Sequence, residues 1–238
     1  MGIETTWLGQ GGYIFTLGDK KIAIDPHLSD SLANKNNWDR LAPIALKPKE
    51  LKVDLIICTH DHMDHLDEGT LQFIDWSNTR CGGPDSCLEH LRRLEIPGDK
   101  LVKLNMNTSI QLGGATIYGV YAYHLYAGNM VDSIGVVIDF DGTTIYIVGD
   151  SLYHKRLLEV KALHPDVLIC CINGRLGNMN YKEAADLARE LAVKIAIPSH
   201  YGMYRENTED PRMLQRVLDP SIEYVELELN RPHLLITK

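Results

Sequence analysis

His60, His62, Asp64 and His65, each able to ligate a metal, fall within six consecutive residues. Three imidazoles and a carboxylate are the donor mixture that suits Zn, Mn or Fe at a hydrolytic site. In an extended turn His60 and His62 can point the same way toward one ion, while Asp64 and His65, past the bend, can reach a second. A single histidine in such a chain is most often part of a hydrated turn. Ten histidines scattered over 238 residues would seldom fall into H-x-H-x-D-H order directly after an apolar run. Two divalent ions about 3.5–4 Å apart can bridge a water and lower its pKa toward neutrality, making hydroxide available while they polarise a carbonyl or phosphoryl oxygen. No Ser or Cys nucleophile is then required, so Cys58, two residues before His60, reads as core.

The elements around this segment must place it. Val53 to Cys58 is a β-rich run, so the histidines sit just beyond the C-terminal end of a buried strand, where open α/β sheets usually put ligands. Ahead of it, Glu4 to Leu8, Gly12 to Leu17 and Lys21 to Ile24 read as a meander of strands, followed by a less regular stretch from Asp25 to Lys52. Behind it, Asp67 is placed to cap a helix, and a second helix from about Pro84 carries Cys87, Leu88, Leu91 and Leu94 on one side. Strands follow near Thr116 to Tyr121, Ile134 to Phe140 and Thr144 to Val148, with Gly113-Gly114 and Asp141-Gly142 as hairpin turns. Strand and helix then alternate: Asp166 to Cys171, a helix from Tyr181, Lys194 to Pro198, a helix from about Pro211, and closing strands near Ile222 to Val225 and His233 to Ile236. The helix from Tyr181 is best marked, because Asn180 and Glu183 have capping-box spacing and Ala184, Leu187, Ala188 and Leu191 repeat on one face. Two β-rich halves, each with helices, predict the α/β (α+β) class: a four-layer αβ/βα sandwich of two mixed β-sheets with outer helices, as one domain over residues 1–238.

Thr59 to His65 resembles the T-H-x-H-x-D-H signature of the metallo-β-lactamase superfamily, and the resemblance extends over nearly the whole chain. It implies a third histidine, a bridging aspartate and a fourth histidine at successive strand ends, for which the chain offers His124, Asp150 and His200. By that carry-over His60, His62 and His124 hold one ion, Asp64, His65 and His200 hold the other, and Asp150 bridges them; Asp64 or Asp150 would hold the hydroxide and relay its proton. The cofactors implied are two divalent metal ions, Zn or Mn, with Fe as a third choice. Trp7-Leu8-Gly9-Gln10-Gly11-Gly12-Tyr13, Ile24-Asp25-Pro26, Gly149-Asp150-Ser151 and Ile172-Asn173-Gly174 look like the L-ascorbate-6-phosphate lactonase-like branch. That likeness implies a lactone or other small polar ester as substrate, although the characterised lactonases carry longer chains. Other branches fit less well: His124 lacks the Gly-His-Thr-Pro-Gly-like context of the thioesterases, Asp150 stands where the antibiotic-cleaving enzymes usually place Cys, and His62 where the diiron flavoproteins place Glu. The alternatives are a phosphodiesterase or ribonuclease-type hydrolase of the same fold, and a non-catalytic metal-binding regulatory protein. Candidate substrate contacts, all in loops near the motifs, are Gln10, His27, Tyr126, Asn129, Asn173, Arg175, Asn178, Tyr201 and Tyr204; Arg175 could fork onto a phosphate or carboxylate. His90, His154, His164 and His233 fall outside the motif and read as surface or packing residues.

Composition sets the partners. A formal net charge of −8 disfavours a nucleic-acid face, so a small-molecule substrate, phosphorylated or carboxylated, is expected, and a homo-oligomer stays open. Five cysteines without C-x-x-C pairing suit a reducing, cytoplasmic setting, and no apolar run approaches the roughly 18 residues that cross a bilayer. His60→Ala or Asp150→Ala is expected to abolish hydrolysis while leaving a folded chain, and His90→Ala to leave turnover unchanged. Turnover assays paired with circular dichroism check all three.

Overall fold

In the computed structural model, which describes residues 2–235, the sequence builds two seven-stranded sheets and one small hairpin. The first sheet runs, in spatial order, Pro232–Leu235, Ile3–Gly9, Gly12–Leu17, Lys20–Ile24, Leu55–Ile57, Arg80–Gly83 and Leu101–Lys103. The second runs Glu223–Tyr224, Ile195–Ser199, Val167–Cys171, Thr143–Ile147, Ile134–Phe140, Ala115–Tyr121 and Thr108–Leu112. Each is mixed: in the first, Pro232–Leu235 and the meander strands pair antiparallel and the remaining strands parallel, and in the second the strands from Thr108 to Ile147 pair antiparallel and the rest parallel.

Side-chain alternation explains the layering. Along the strands of the first sheet, Ile22, Ile24, Leu55 and Ile57 join the large core shared with the second sheet. Their neighbours Ala23, Ile56 and Cys58 face the other way, into a cluster with Leu88 and Leu91 of the helix Asp85–Arg93. Strands with both faces covered must be apolar throughout, which is why they read as continuous hydrophobic runs. On the second sheet the helix Tyr181–Leu191 buries Ala184, Leu187, Ala188 and Leu191, and its Asn180 and Glu183 form the expected capping box. The four-layer αβ/βα sandwich is therefore present.

Local departures have local causes. The irregular stretch holds a short helix, Ser31–Asn36, and the helix capped by Asp67 is one turn, Glu68–Leu71. Arg80–Gly83 is a strand despite its two glycines, because Gly82 pairs so closely with Val102 that no side chain fits. The last strand is Pro232–Leu235; the expected end at Ile236 lies outside the described residues. The chain just past the ends of Leu55–Ile57, Ala115–Tyr121, Thr143–Ile147 and Ile195–Ser199 delivers His60 to His65, His124, Asp150 and His200 in turn.

A Cβ added at Gly82 would stand 1.7 Å from the Val102 carbonyl oxygen, whereas one at Gly98 meets nothing within 4 Å. Gly82→Ala is expected to cost about 3 kcal/mol, read as a lowered urea midpoint, with Gly98→Ala near wild type as its control.

Candidate metal centre

The donor atoms of the expected residues converge. His60, His62 and His124 form one group, and Asp64, His65 and His200 another, each with ligand atoms within 4.8 Å of one another. In the first group His60 Nε2 lies 3.0 Å, and His124 Nε2 3.3 Å, from His62 Nδ1. In the second, His200 Nε2 is 3.4 Å and His65 Nε2 3.7 Å from Asp64 Oδ2. Asp150 stands between them, its Oδ1 at 3.2 Å from His200 Nε2 and 3.3 Å from His65 Nε2, its Oδ2 at 4.0 Å from His124 Nε2.

The donor set fits divalent cations. His65 Nε2 and Asp150 Oδ1 are buried yet have no hydrogen-bond partner, a costly condition unless something else satisfies them. Electrostatics divides the cluster. Burial, with the neighbouring His65, His62 and His124, pushes the His60 pKa well below the usual histidine value, favouring a neutral, metal-competent ring. At His200 burial works the same way, but Asp150 and Asp64 outweigh it and raise the pKa to about 9. Burial would raise the carboxylates Asp64 and Asp150, yet His65 and His200 hold both below the ordinary range. The second group is thus a set of anions and protonated rings in which cations can replace protons.

Supporting contacts fix the rings. Asp25 Oδ2 accepts from His65 Nδ1 at 2.7 Å and from Thr59 Oγ1 at 2.7 Å, while its Oδ1 accepts from the Thr59 amide. His124 Nδ1 donates to the Gly177 carbonyl at 3.2 Å. Each contact commits Nδ1 and leaves Nε2 facing the cluster, the usual arrangement around a metal-binding histidine. Sequence alone assigns Asp25 only to a turn; the available signal is a carboxylate ending an apolar strand that pairs beside the histidine-bearing one. Gln10, Asp25 and His200 all have positive φ, at 51°, 45° and 62°. Such backbone costs about 1–2 kcal/mol per residue and persists where its surroundings over-determine it. Here the Gln10 carbonyl accepts from the Trp7 indole, the Ser199 hydroxyl and the His200 amide, tying the first sheet to the second at the cluster.

A cavity of about 620 Å³ opens over His62, Asp64 and Asp150. Among the expected substrate contacts, Tyr126 lines it, half exposed, its ring 4.9 Å from that of His62. The others go elsewhere. Gln10 is buried and its Nε2 donates to Asp64 Oδ2 at 3.1 Å, so it positions the cluster. His27 is buried between Asp67, 3.0 Å from its Nδ1, and the Tyr204 hydroxyl at its Nε2. Tyr204 is wholly buried beneath Trp38 and Arg40, and Tyr201 stacks on Trp7 at 4.8 Å. Asn173 is buried and donates to Asn207 Oδ1, and Asn178 is buried beside Gly177. Arg175 is exposed and spends its guanidinium on the Asn173 and Glu206 carbonyls, while Asn129 is exposed on the hairpin Leu125–Tyr126/Asn129–Met130. His90 is also misplaced by sequence alone: it lies on the cavity wall, as do Lys35, Trp38, Arg93 and Asn207, none of which is singled out there. A helix face turned toward a cavity cannot be told from one turned toward solvent until its neighbours are known.

A convergent His/Asp cluster on the strand ends of an αβ/βα sandwich defines the metallo-β-lactamase type of fold. The chain belongs to the β-lactamase superfamily: its residues 20–201 match the family described as Beta-lactamase superfamily domain. It is similar along almost its whole length to proteins named UPF0173 metal-dependent hydrolase. One from Pyrobaculum islandicum is 30% identical, with 97% of each chain covered. Another, from Archaeoglobus fulgidus, is 28% identical over 97% of this chain and 96% of its own. A metallo hydrolase from Ignicoccus hospitalis, 21% identical, has the same fold at a TM-score of 0.77 with 100% of both chains covered.

Asp25→Ala is expected to lower metal affinity about 10–100-fold, because His65 loses the acceptor that orients it. Metal content after dialysis against graded free Zn²⁺ measures this.

Proposed function

We propose that the chain is a metal-dependent hydrolase that opens a lactone or another small polar ester over the His/Asp cluster. The observation that carries this reading is the convergence of seven buried or half-buried His and Asp side chains, three of which, His62, Asp64 and Asp150, line a cavity of small-molecule size. In this reading His60, His62 and His124 would hold one divalent ion and Asp64, His65 and His200 a second, with Asp150 between the two groups; the donors suit Zn, Mn or Fe, and the family resemblance favours Zn or Mn. When bound, such ions supply a water acidic enough to attack at neutral pH and a positive field for the oxygen of the attacked carbonyl.

The chain's own residues do the rest. Asp64 and Asp150 face the cavity and are the carboxylates able to hold and pass a proton. Gln10 keeps Asp64 in place, and Asp25 and Gly177 keep His65 and His124 in one tautomer. Met63, Leu176 and Tyr126 line the same cavity and give it apolar surface beside the cluster. The ester preference rests on the lactonase-like segments around Trp7 to Tyr13 and Ile172 to Gly174. The reading places the whole activity in one domain. A small molecule suits a chain of net charge −8 better than a nucleic acid does, and five buried, free cysteines suit a reducing cytoplasm. Among the described residues no helix is long and apolar enough to cross a membrane.

Elemental analysis of the purified protein, paired with a turnover screen of lactones, thioesters and phosphodiesters, tests the proposal. Close to two ions per chain is expected, with lactone or ester turnover that falls about a thousandfold or more on chelation and returns with Zn²⁺ or Mn²⁺. Phosphodiester turnover alone would replace the substrate class. A folded, inactive chain that refuses added metal would overturn the site.

A further inference from the structure

The cavity is also lined by residues from the ends of three helices. Lys35 stands in the last turn of Ser31–Asn36, Glu68 opens Glu68–Leu71, and His90 and Arg93 stand in the last turn of Asp85–Arg93. These groups are committed differently. Glu68 Oε1 is held by His90 Nε2 at 2.7 Å. Arg40, Arg205 and Arg231, elsewhere on the surface, are spent on Asp30, Asp39 and Glu228. Lys35 and Arg93 are exposed, line this cavity, and have neither a side-chain hydrogen bond nor an ion pair among the described residues.

Cations near helix C-termini are favoured by the helix dipole, which accounts for their positions along each helix. It does not account for two unpaired cations from separate helices facing the same space. Like charges so placed gain when an anion enters between them. Asp61, beside His62 in sequence, also lines the cavity and disfavours an anion near itself. Leu32, Trp38 and Leu176 add apolar surface to the same cavity.

We propose that Lys35 and Arg93 form a subsite for an anionic end group, a carboxylate or phosphate, on a substrate whose reacting bond lies over His62, Asp64 and Asp150. The proposal rests on the hydrolase reading for its substrate and names that substrate's class: a small ester or lactone with an apolar middle and an acidic tail. Arg93 supplies the planar fork that matches two oxygens, and Lys35 a mobile point charge.

Calorimetric binding to the metal-loaded protein tests it, using dicarboxylates from succinate to suberate, 3-phosphonopropionate, and the monocarboxylate of each chain length. One carboxylate of every probe can engage the metals, so the monocarboxylate reports that end alone. The expected result is that at least one doubly anionic probe binds about tenfold more tightly than its monocarboxylate. Arg93→Gln should remove most of this advantage and Lys35→Met with Arg93→Gln all of it, with monocarboxylate affinity unchanged. A larger advantage for the phosphonate than for the diacids would mark the tail as phosphate, and the reverse as carboxylate. Equal affinity of mono- and dianions at every length, or an advantage that survives in the double variant, would overturn the subsite. Absence of ester turnover with the binding pattern intact would sink the hydrolase reading and leave the subsite standing.

Discussion

Five imidazoles and two carboxylates share a space that water barely enters, and a protein can keep such a set together only by fixing every member through its neighbours. Buried charge without compensation is among the most expensive states a side chain can occupy. The cluster meets that cost in two ways. Asp64 and Asp150 lie against His65 and His200, so that each side stabilises the charged form of the other. The remaining rings are neutral or tied down from behind, His60 by burial and His124 by the Gly177 carbonyl. What remains is a group of convergent lone pairs whose mutual repulsion is relieved by cations.

Neither sheet can make this arrangement alone. The first supplies His60 to His65 with Asp25 behind them; the second supplies His124, Asp150 and His200. The shared core of Tyr13, Phe15, Ile24 and Ile57 against Val136, Ile138 and Ile147 sets how far apart the two sets of strand ends stand. Close packing makes that separation stiff. The Gln10 carbonyl, with three donors from both sides of the seam, then pins the edge where the ligands meet. Left-handed backbone at Gln10 and His200 belongs to the same joint, where the His200 amide donates to the Gln10 carbonyl.

Much of this was legible in the sequence, for reasons that differ by element. The ligand tetrad has a spacing that no packing requirement explains, and Val53 to Cys58 announces the strand in front of it. The covered strands are apolar on both faces, so their positions, and with them the four layers, follow from hydrophobicity alone. The helix Tyr181–Leu191 carries its own start signal in Asn180 and Glu183. Direction was harder to read than position. Tyr201 follows a ligand directly, yet the turn at His200 sends it into Trp7, and Tyr204 goes under His27. Proximity in sequence to a ligand says nothing about which way the next side chain points. Arg80–Gly83 escaped because its glycines answer to a neighbouring carbonyl, a tertiary demand. Lys35 and Arg93 escaped because their importance depends on where two separate helices end relative to one cavity.

The separation of the ligands along the chain has a consequence for how the molecule comes into being. His60 and His200 are 200 − 60 = 140 positions apart, and the strands that carry them belong to different sheets. Closing so long a loop is entropically costly and must precede any reward from the contact. The local turn at His60 to His65 can form early, but it offers an incomplete set of donors until both sheets have folded and docked. The full cluster is therefore assembled late in folding, and a chain still lacking its last third has no His200 to complete it.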